Sequence, residues 1–295
     1  MKLTTHTRAA TWFIYRYLRR AAFSLIGRNP LATAAHVPSA AEEWASVCGL
    51  VGALQVAPEV LSQDEQGIRW QTSMGEILTP PNAGADYIGR LTAEMPSSVY
   101  ALTNREKVIF DAGANIGLFS LHALSTGTAS VIAFEPSPGN ARCLLANLDT
   151  YLRAGRLRLI PKGVWSKPTT LRFSTSNTNN PGGHHISDDG DIEVPVTSID
   201  QAVGELGVNH LDYIKMDVEG SEMEALEGAR ETLARFRPRL CVATEHTNDL
   251  YANTAAVITK MKDFGYDYVC TETHAYRSPS RGLILTPFCV LFLPV

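Results

Sequence analysis

The sequence predicts an α/β fold: a doubly wound, mostly parallel sheet preceded by a helical and hairpin cap. Three observations carry that prediction. Lys107 to Pro136, KVIFDAGANIGLFSLHALSTGTASVIAFEP, reads as strand, glycine turn, helix and strand, the first βαβ unit of a nucleotide-binding sheet. Leu211 to Glu224, LDYIKMDVEGSEME, reads as a further strand, a turn and a helix start. Two strand-like runs, Tyr266–Thr271 and Phe288–Leu293, flank a turn-rich loop over Arg277–Gly282 and close the chain as a pair.

Taken in order, the chain begins with its most basic part. Residues 1–41 hold six Lys and Arg and no Asp or Glu, so they carry +6 and the remainder −10 of the net −4. A helix from Arg8 to Gly27 places Ile14, Leu18, Ala21 and Leu25 on one face, with Arg16, Arg19 and Arg20 opposite. Three uses stay open for it: peripheral contact with an anionic membrane, packing on its own domain, or contact with a second copy in a homo-oligomer. Arginines reaching position 20 and a short broken apolar stretch make a poor secretory signal, whereas an organellar transit peptide stays open. No run approaches the length of a membrane span. Residues 29–42 read as a linker, and Trp44–Leu61 as a helix stopped near Pro58. Ile68–Trp70 and Glu76–Leu78 read as a hairpin before the turn Pro80-Pro81-Asn82. The expected division is therefore 1–43 basic helix and linker, 44–104 cap, and 105–295 ligand-binding domain.

At 295 residues and 45% hydrophobic composition, the chain can bury one substantial core. The net charge gives no reason to expect nucleic acid as a partner. Five scattered cysteines without a C-x-x-C pair read as free thiols in a reducing compartment, which points to the cytoplasm.

The central loop sets the ligand. Asp111 closes the first strand, and Gly113, Ala114, Asn115 and Gly117 form the turn where backbone bends sharply and a ligand lies against main chain. Glu135, followed by Pro136, ends the second strand about 20 residues on, placed to accept hydrogen bonds from ribose hydroxyls. The loop lacks G-x-G-x-x-G, and an acid at Asp111 would repel a pyrophosphate. S-adenosylmethionine has no phosphate and a cationic sulfonium, so loop and acid together favour it over NAD.

Beyond Pro136, Gly139–Leu152 reads as a helix and Leu157–Ile160 as the third strand. Trp165 follows closely, where an indole would cover an adenine ring or simply pack. Thr170–Phe173 and Ile192–Val196 read as an inserted β-pair around the polar loop Ser174–Gly190. His184 and His185 in that loop are candidates for general base or metal ligand, or are solvated loop residues. In the second stretch, Tyr213–Met216 is a strand beside the first, where strand order reverses and a ligand crevice opens. That places Asp217 against the methyl group and the acceptor; the alternative is a helix-start carboxylate bonded to backbone amides. Ser221 with Glu224 reads as a capping box. The strand Leu240–Ala243 ends in Glu245 and His246, again on the ligand side, followed by a helix over Thr254–Phe264. Asp217, Glu245 and His246 would supply ligands for one Mg²⁺-like ion, or hold the acceptor by hydrogen bonds.

The ordered set VIFDAGANIG, AFEP, VPVTSID and YIKMDVEGSE resembles the FkbM family of S-adenosylmethionine-dependent methyltransferases, from about Ile68 to the C-terminus. The resemblance implies a Rossmann-like class I methyltransferase sheet with a C-terminal antiparallel strand. It also implies O-methylation of a small-molecule or glycan acceptor bearing a hydroxyl, on a sugar, glycolipid or polyketide-type metabolite. It carries donor binding onto Asp111, Gly113, Asn115, Gly117 and Glu135, and a place at the reaction centre onto Asp217 and Glu219. Candidate proton acceptors are Asp217, His184, His185 and His246, in that order. An NAD-dependent oxidoreductase and a non-catalytic binding protein are the rival readings.

Overall fold

The computed structural model describes residues 57–95, 100–103, 105–128, 130–175, 183–244, 246, 250–278 and 282–295. The expected basic helix of residues 8–27, the linker and Glu245 lie outside them. The first elements are an antiparallel sheet of β1 (Glu59–Asp64), β2 (Gly67–Thr72) and β3 (Gly75–Thr79), then helix α1 (Ala85–Glu94). The β2–β3 hairpin falls where its alternating pattern predicts: Ile68, Trp70 and Thr72 are buried and Arg69 and Gln71 exposed. The helix expected to run to Leu61 is corrected at its end. Glu59–Leu61 belong to β1, whose backbone pairs with β2 while all six of its residues stay exposed. Helix α1 starts at Gly84 without a side-chain cap and buries Tyr87 and Ile88.

The main sheet follows. Strand β4 (Val108–Ala112), helix α2 (Leu118–Ser125) and β5 (Ser130–Phe134) form the predicted βαβ unit. Helices α3 (Pro138–Asn147) and α4 (Asp149–Arg153) replace the single helix expected over Gly139–Leu152, because Leu148 between them leaves helical geometry and buries under Gly117. Strand β6 (Leu157–Ile160) is next. The insertion is a four-stranded sheet ordered β7-β10-β8-β9, from β7 (Gly163–Val164), β8 (Thr169–Ser174), β9 (His185–Ile186) and β10 (Ile192–Thr197). Helix α5 (Ile199–Leu206) is capped by Ser198 Oγ, which accepts from Gln201 N at 3.1 Å.

Strand β11 (Tyr213–Met216) leads to α6 (Glu222–Glu227) and α7 (Arg230–Phe236), then β12 (Arg239–Ala243), α8 (Leu250–Asp263), β13 (Tyr266–Ser278) and β14 (Gly282–Pro294). Ser221 does not cap α6 with its side chain, contrary to the capping-box expectation; Gly220 N instead donates to Glu222 Oε1 at 3.1 Å.

The seven-stranded sheet has the order β13-β14-β12-β11-β4-β5-β6, parallel except for β14, which runs antiparallel to both neighbours. Strand order reverses between β4 and β11, so a crevice opens past their carboxyl ends. Both faces are covered by apolar clusters, one around Ile109, Ile116 and Leu144, the other around Phe110, Ile214 and Leu240. Burial on both faces is why β11 is apolar apart from Lys215.

Candidate active site

A cavity of about 390 Å³ occupies that crevice. Its floor is the loop after β4. Gly113 N and Ala114 N donate to Phe134 O at 3.1 and 2.9 Å, which ties the loop to the end of β5. Gly113 has φ +77, and a Cβ there would lie 1.9 Å from Asp217 O, so no other residue fits the turn. Asn115 also takes a left-handed conformation, with φ +52. Its amide N donates to Glu135 Oε2 at 2.7 Å, and its Nδ2 donates to Tyr87 Oη at 2.8 Å on α1. Gly113, Ala114, Asn115, Glu135, Pro136 and Asp217 line the cavity; Asp111, Gly117 and Trp165 do not.

Those three have other surroundings. Gly117 serves packing: a Cβ would sit 2.6 Å from Leu148 Cδ1. Trp165 is drawn into the insertion, where its N donates to Thr197 O at 2.8 Å and its ring packs against the Phe173, Val194 and Val196 cluster. Asp111 is fully buried beneath the loop and accepts from Ser120 Oγ at 2.6 Å. Lys215 Nζ stands 3.4 Å from Asp111 and 3.6 Å from Asp217, and donates to Gly113 O at 2.6 Å. Asp111 is therefore met by the ammonium of Lys215, which itself lines the cavity. The repulsion of a pyrophosphate expected from Asp111 is thus largely cancelled, and Arg90 also lines the cavity. Burial would lower the Lys215 pKa, but the carboxylates of Asp111 and Asp217 outweigh it and hold it above the ordinary lysine value.

Glu135 accepts from two backbone amides, Asn115 N and Ser137 N at 2.7 and 2.8 Å, one on each oxygen. Each oxygen keeps acceptor capacity for a ligand hydroxyl. Burial nevertheless raises its pKa to about 7, against the lowering effect of the two amides.

At the β11 and β12 ends, Asp217, Glu219 and His246 converge. His246 Nε2 lies 3.4 Å from Asp217 Oδ1 and 3.6 Å from Glu219 Oε1, and its Nδ1 lies 3.1 Å from Oε1 of the fully buried Glu222. Burial opposes charge on the imidazole, but Glu222, Asp217 and Glu219 together raise its pKa to about 10. Free of other ligands, His246 is thus an imidazolium, which removes it from the candidate proton acceptors at neutral pH. Burial raises Glu219 to about 7, partly opposed by His246. His184 lines the cavity beside the Phe173 ring, and burial lowers its pKa, so it stays neutral. His185 is exposed, with Nδ1 3.1 Å from Gly183 O, and does not line the cavity.

Sequence reasoning assigned no role to Tyr87, Lys215 or Glu222. A lysine inside a four-residue buried strand was a visible signal; Tyr87 and Glu222 gave none.

A family model described as the methyltransferase FkbM domain matches residues 111–268. The chain belongs to the FkbM methyltransferase family. The match takes in Asp111, the glycine loop, Glu135, the β11 turn and His246. Among relatives of this FkbM chain is the hexuronic acid methyltransferase AglP of Haloferax volcanii, 33% identical over 129 residues, which are 43% of this chain and 52% of AglP. Another is the 31-O-demethyl-FK506 methyltransferase FkbM of Streptomyces tacrolimicus, 25% identical over 56% of this chain and 74% of the relative. The 2-O-methyltransferase NoeI of Sinorhizobium fredii is 29% identical over 47% of this chain and 64% of its own length. This chain thus spans about half the length of AglP and two thirds or more of neither AglP nor NoeI. A crystal structure of an FkbM methyltransferase from Methylobacillus flagellatus KT aligns with a TM-score of 0.44 at 22% identity, covering 63% of this chain and 43% of that one. No helix among the described residues is long and apolar enough to cross a membrane.

Proposed function

We propose that this chain is an O-methyltransferase that moves the methyl group of S-adenosylmethionine onto a hydroxyl of a sugar, glycolipid or polyketide-type metabolite. The observation that carries the reading is the acid-lined cavity at the strand-order reversal of an FkbM domain. Glu135, Asp217 and Glu219 bring acceptors for ribose hydroxyls and a sulfur cation to this space, beside the cationic Arg90, Lys215 and His246. The relatives' names, a hexuronic acid methyltransferase and a 31-O-demethyl-FK506 methyltransferase, support a hydroxylated acceptor.

In the reaction, the acceptor oxygen forms a bond to the methyl carbon as the carbon–sulfur bond breaks and its electron pair stays on sulfur. The hydroxyl proton leaves to a base. The chain's contribution is alignment and proton acceptance. Glu135 takes the ribose, and the Asn115 and Gly113 backbone supports the rest of the donor. Asp217, partly exposed, is the first candidate base, with neutral His184, which also lines the cavity, as the second.

Calorimetric titration with S-adenosylmethionine and with NAD separates the cofactor readings; heat with NAD alone would end this one. Asp217→Asn is expected to keep S-adenosylhomocysteine binding while turnover on a hydroxylated acceptor falls about 10²–10⁴-fold. Unchanged turnover would remove Asp217 from the reaction.

A further inference from the structure

We propose that Asp217, Glu219 and His246 form a divalent-metal site on the cavity wall, with two carboxylates and one imidazole as protein ligands. Binding of the ion stands on these residues alone; its part in catalysis rests on the methyl-transfer reading.

The three side chains come from the end of β11, the following turn and the segment after β12, yet one ligand atom of each lies within 4.8 Å of the others. Adjacent ligands of an ion with bonds of about 2.1 Å stand roughly 3 Å apart. The 3.4 and 3.6 Å separations of Asp217 Oδ1 and Glu219 Oε1 from His246 Nε2 are close to that spacing.

A second, independent feature is the support behind the imidazole. Glu222 is fully buried, does not line the cavity, and meets His246 Nδ1 at 3.1 Å. A carboxylate on the far nitrogen is the arrangement that fixes ring orientation and tautomer in metal-bound histidines. Here it turns Nε2 toward the two acids. The other oxygen, Glu222 Oε2, is buried without a protein hydrogen bond, so the cost of burying this group is offset through Oε1, which meets both His246 and Gly220 N. Lys215 holds the Oδ2 side of Asp217 at 3.6 Å and leaves Oδ1 toward the cluster.

The donor set also selects the ion. An oxygen-only site suits Mg²⁺, whereas one imidazole among carboxylates shifts preference toward Mn²⁺ or Zn²⁺. That modifies the Mg²⁺-like expectation, as Glu219 joins Asp217 and His246. Since all three ligands line the cavity, the remaining coordination positions open onto it. They suit an acceptor that offers its hydroxyl together with a neighbouring oxygen, as in a vicinal diol or hydroxy acid, and the ion would favour loss of the hydroxyl proton.

The test titrates chelator-treated full-length chain with Mn²⁺, followed by electron paramagnetic resonance and calorimetry, with S-adenosylhomocysteine binding measured in parallel. One Mn²⁺ per chain is expected. Glu222→Gln should weaken Mn²⁺ about 10–100-fold while leaving S-adenosylhomocysteine affinity unchanged, and Glu219→Gln and His246→Asn should weaken it at least as much. Wild-type chain that binds S-adenosylhomocysteine but takes no Mn²⁺ at millimolar concentration overturns the proposal, leaving a purely protonic His246 cage. Mn²⁺ binding that is indifferent to all three substitutions overturns it as well. Mn²⁺ bound with S-adenosylhomocysteine refused would uphold the metal site and end the methyl-transfer reading instead.

Discussion

At the scale of single residues, Lys215 connects the glycine loop to both central strands. It is 4% exposed, stands opposite Asp111 in the β4–β11 register, and reaches three partners: the Asp111 carboxylate, the Asp217 carboxylate and the Gly113 carbonyl. Removing it would leave Asp111 buried without a counter-charge, and breaking a buried pair from one side costs about 3–5 kcal/mol. Lys215→Met is expected to lose stability of that order in urea unfolding, and adding Asp111→Asn should restore part of it. A single-variant loss below about 1 kcal/mol would mean that Asp111 simply takes up a proton. The register makes the pair inevitable once β4 and β11 are neighbours, but nothing local in either strand announces it. Asp111 could thus be read from the sequence as an important acid, and its placement in the donor site could not be corrected without the partner strand.

At the scale of elements, one side chain of α3 joins the cap, the glycine loop and the sheet. Asn147 Oδ1 accepts from Leu78 N at 2.7 Å, and its Nδ2 donates to Leu78 O at 3.0 Å and to Ile116 O at 2.9 Å. Asn147 therefore holds the β3 edge and the glycine loop together. Asn147→Ala leaves several partly buried backbone groups unpaired, and a loss of about 2 kcal/mol or more is expected by urea unfolding. Amide exchange at Leu78 should accelerate with it. The elements best legible in the sequence are the central strands. The runs at Val108–Phe110, Val131–Phe134, Leu157–Ile160 and Tyr213–Met216 stand within two residues of the observed bounds at each end, because each is a short, largely apolar run between turns. Strands β13 and β14 run well past the apolar segments that marked them. Their outer parts pair across the two strands; that of β13 is mostly polar, while that of β14 holds the short run Leu283–Leu285, set apart from Phe288–Leu293 by Thr286-Pro287. Helix α5 was legible in principle, since Ser198 and Gly207 bracket it as cap and stop.

At the scale of the whole molecule, the cavity groups set how stability depends on pH. Glu135 and Glu219 have pKa values raised to about 7 in the folded chain, by burial above all. His246 is raised to about 10 by its three carboxylates against burial. All three bind more protons folded than unfolded. The contribution of the two acids is complete below their ordinary pKa and is lost as pH rises through about 7. That of His246 is complete below about 6.5 and is lost as pH rises through about 10. Metal-free, ligand-free chain should therefore become less stable to urea between pH 6 and pH 10, by at most about 1.4 kcal/mol per pH unit for each titrating group. His246→Asn should flatten the limb above pH 7.5; an identical slope in the variant would show that the imidazole is not charged in the folded chain. Sequence reading brought Asp217 and His246 to the same end of the sheet, from the doubly wound rule alone. It could not supply Glu222, whose side chain meets His246 only through the packing of α6 beneath the segment after β12.

The backbone at Glu219 has φ +53, a left-handed conformation that a residue with a side chain adopts at a cost of about 1–2 kcal/mol. Glycine would occupy that corner without penalty. A library selected for heat tolerance should accordingly enrich Glu219→Gly, with a melting temperature higher by about 2–4 °C. A library selected for product formation should discard it. Finding the exchange tolerated under both selections would show that the chain gains nothing from keeping a carboxylate at that corner.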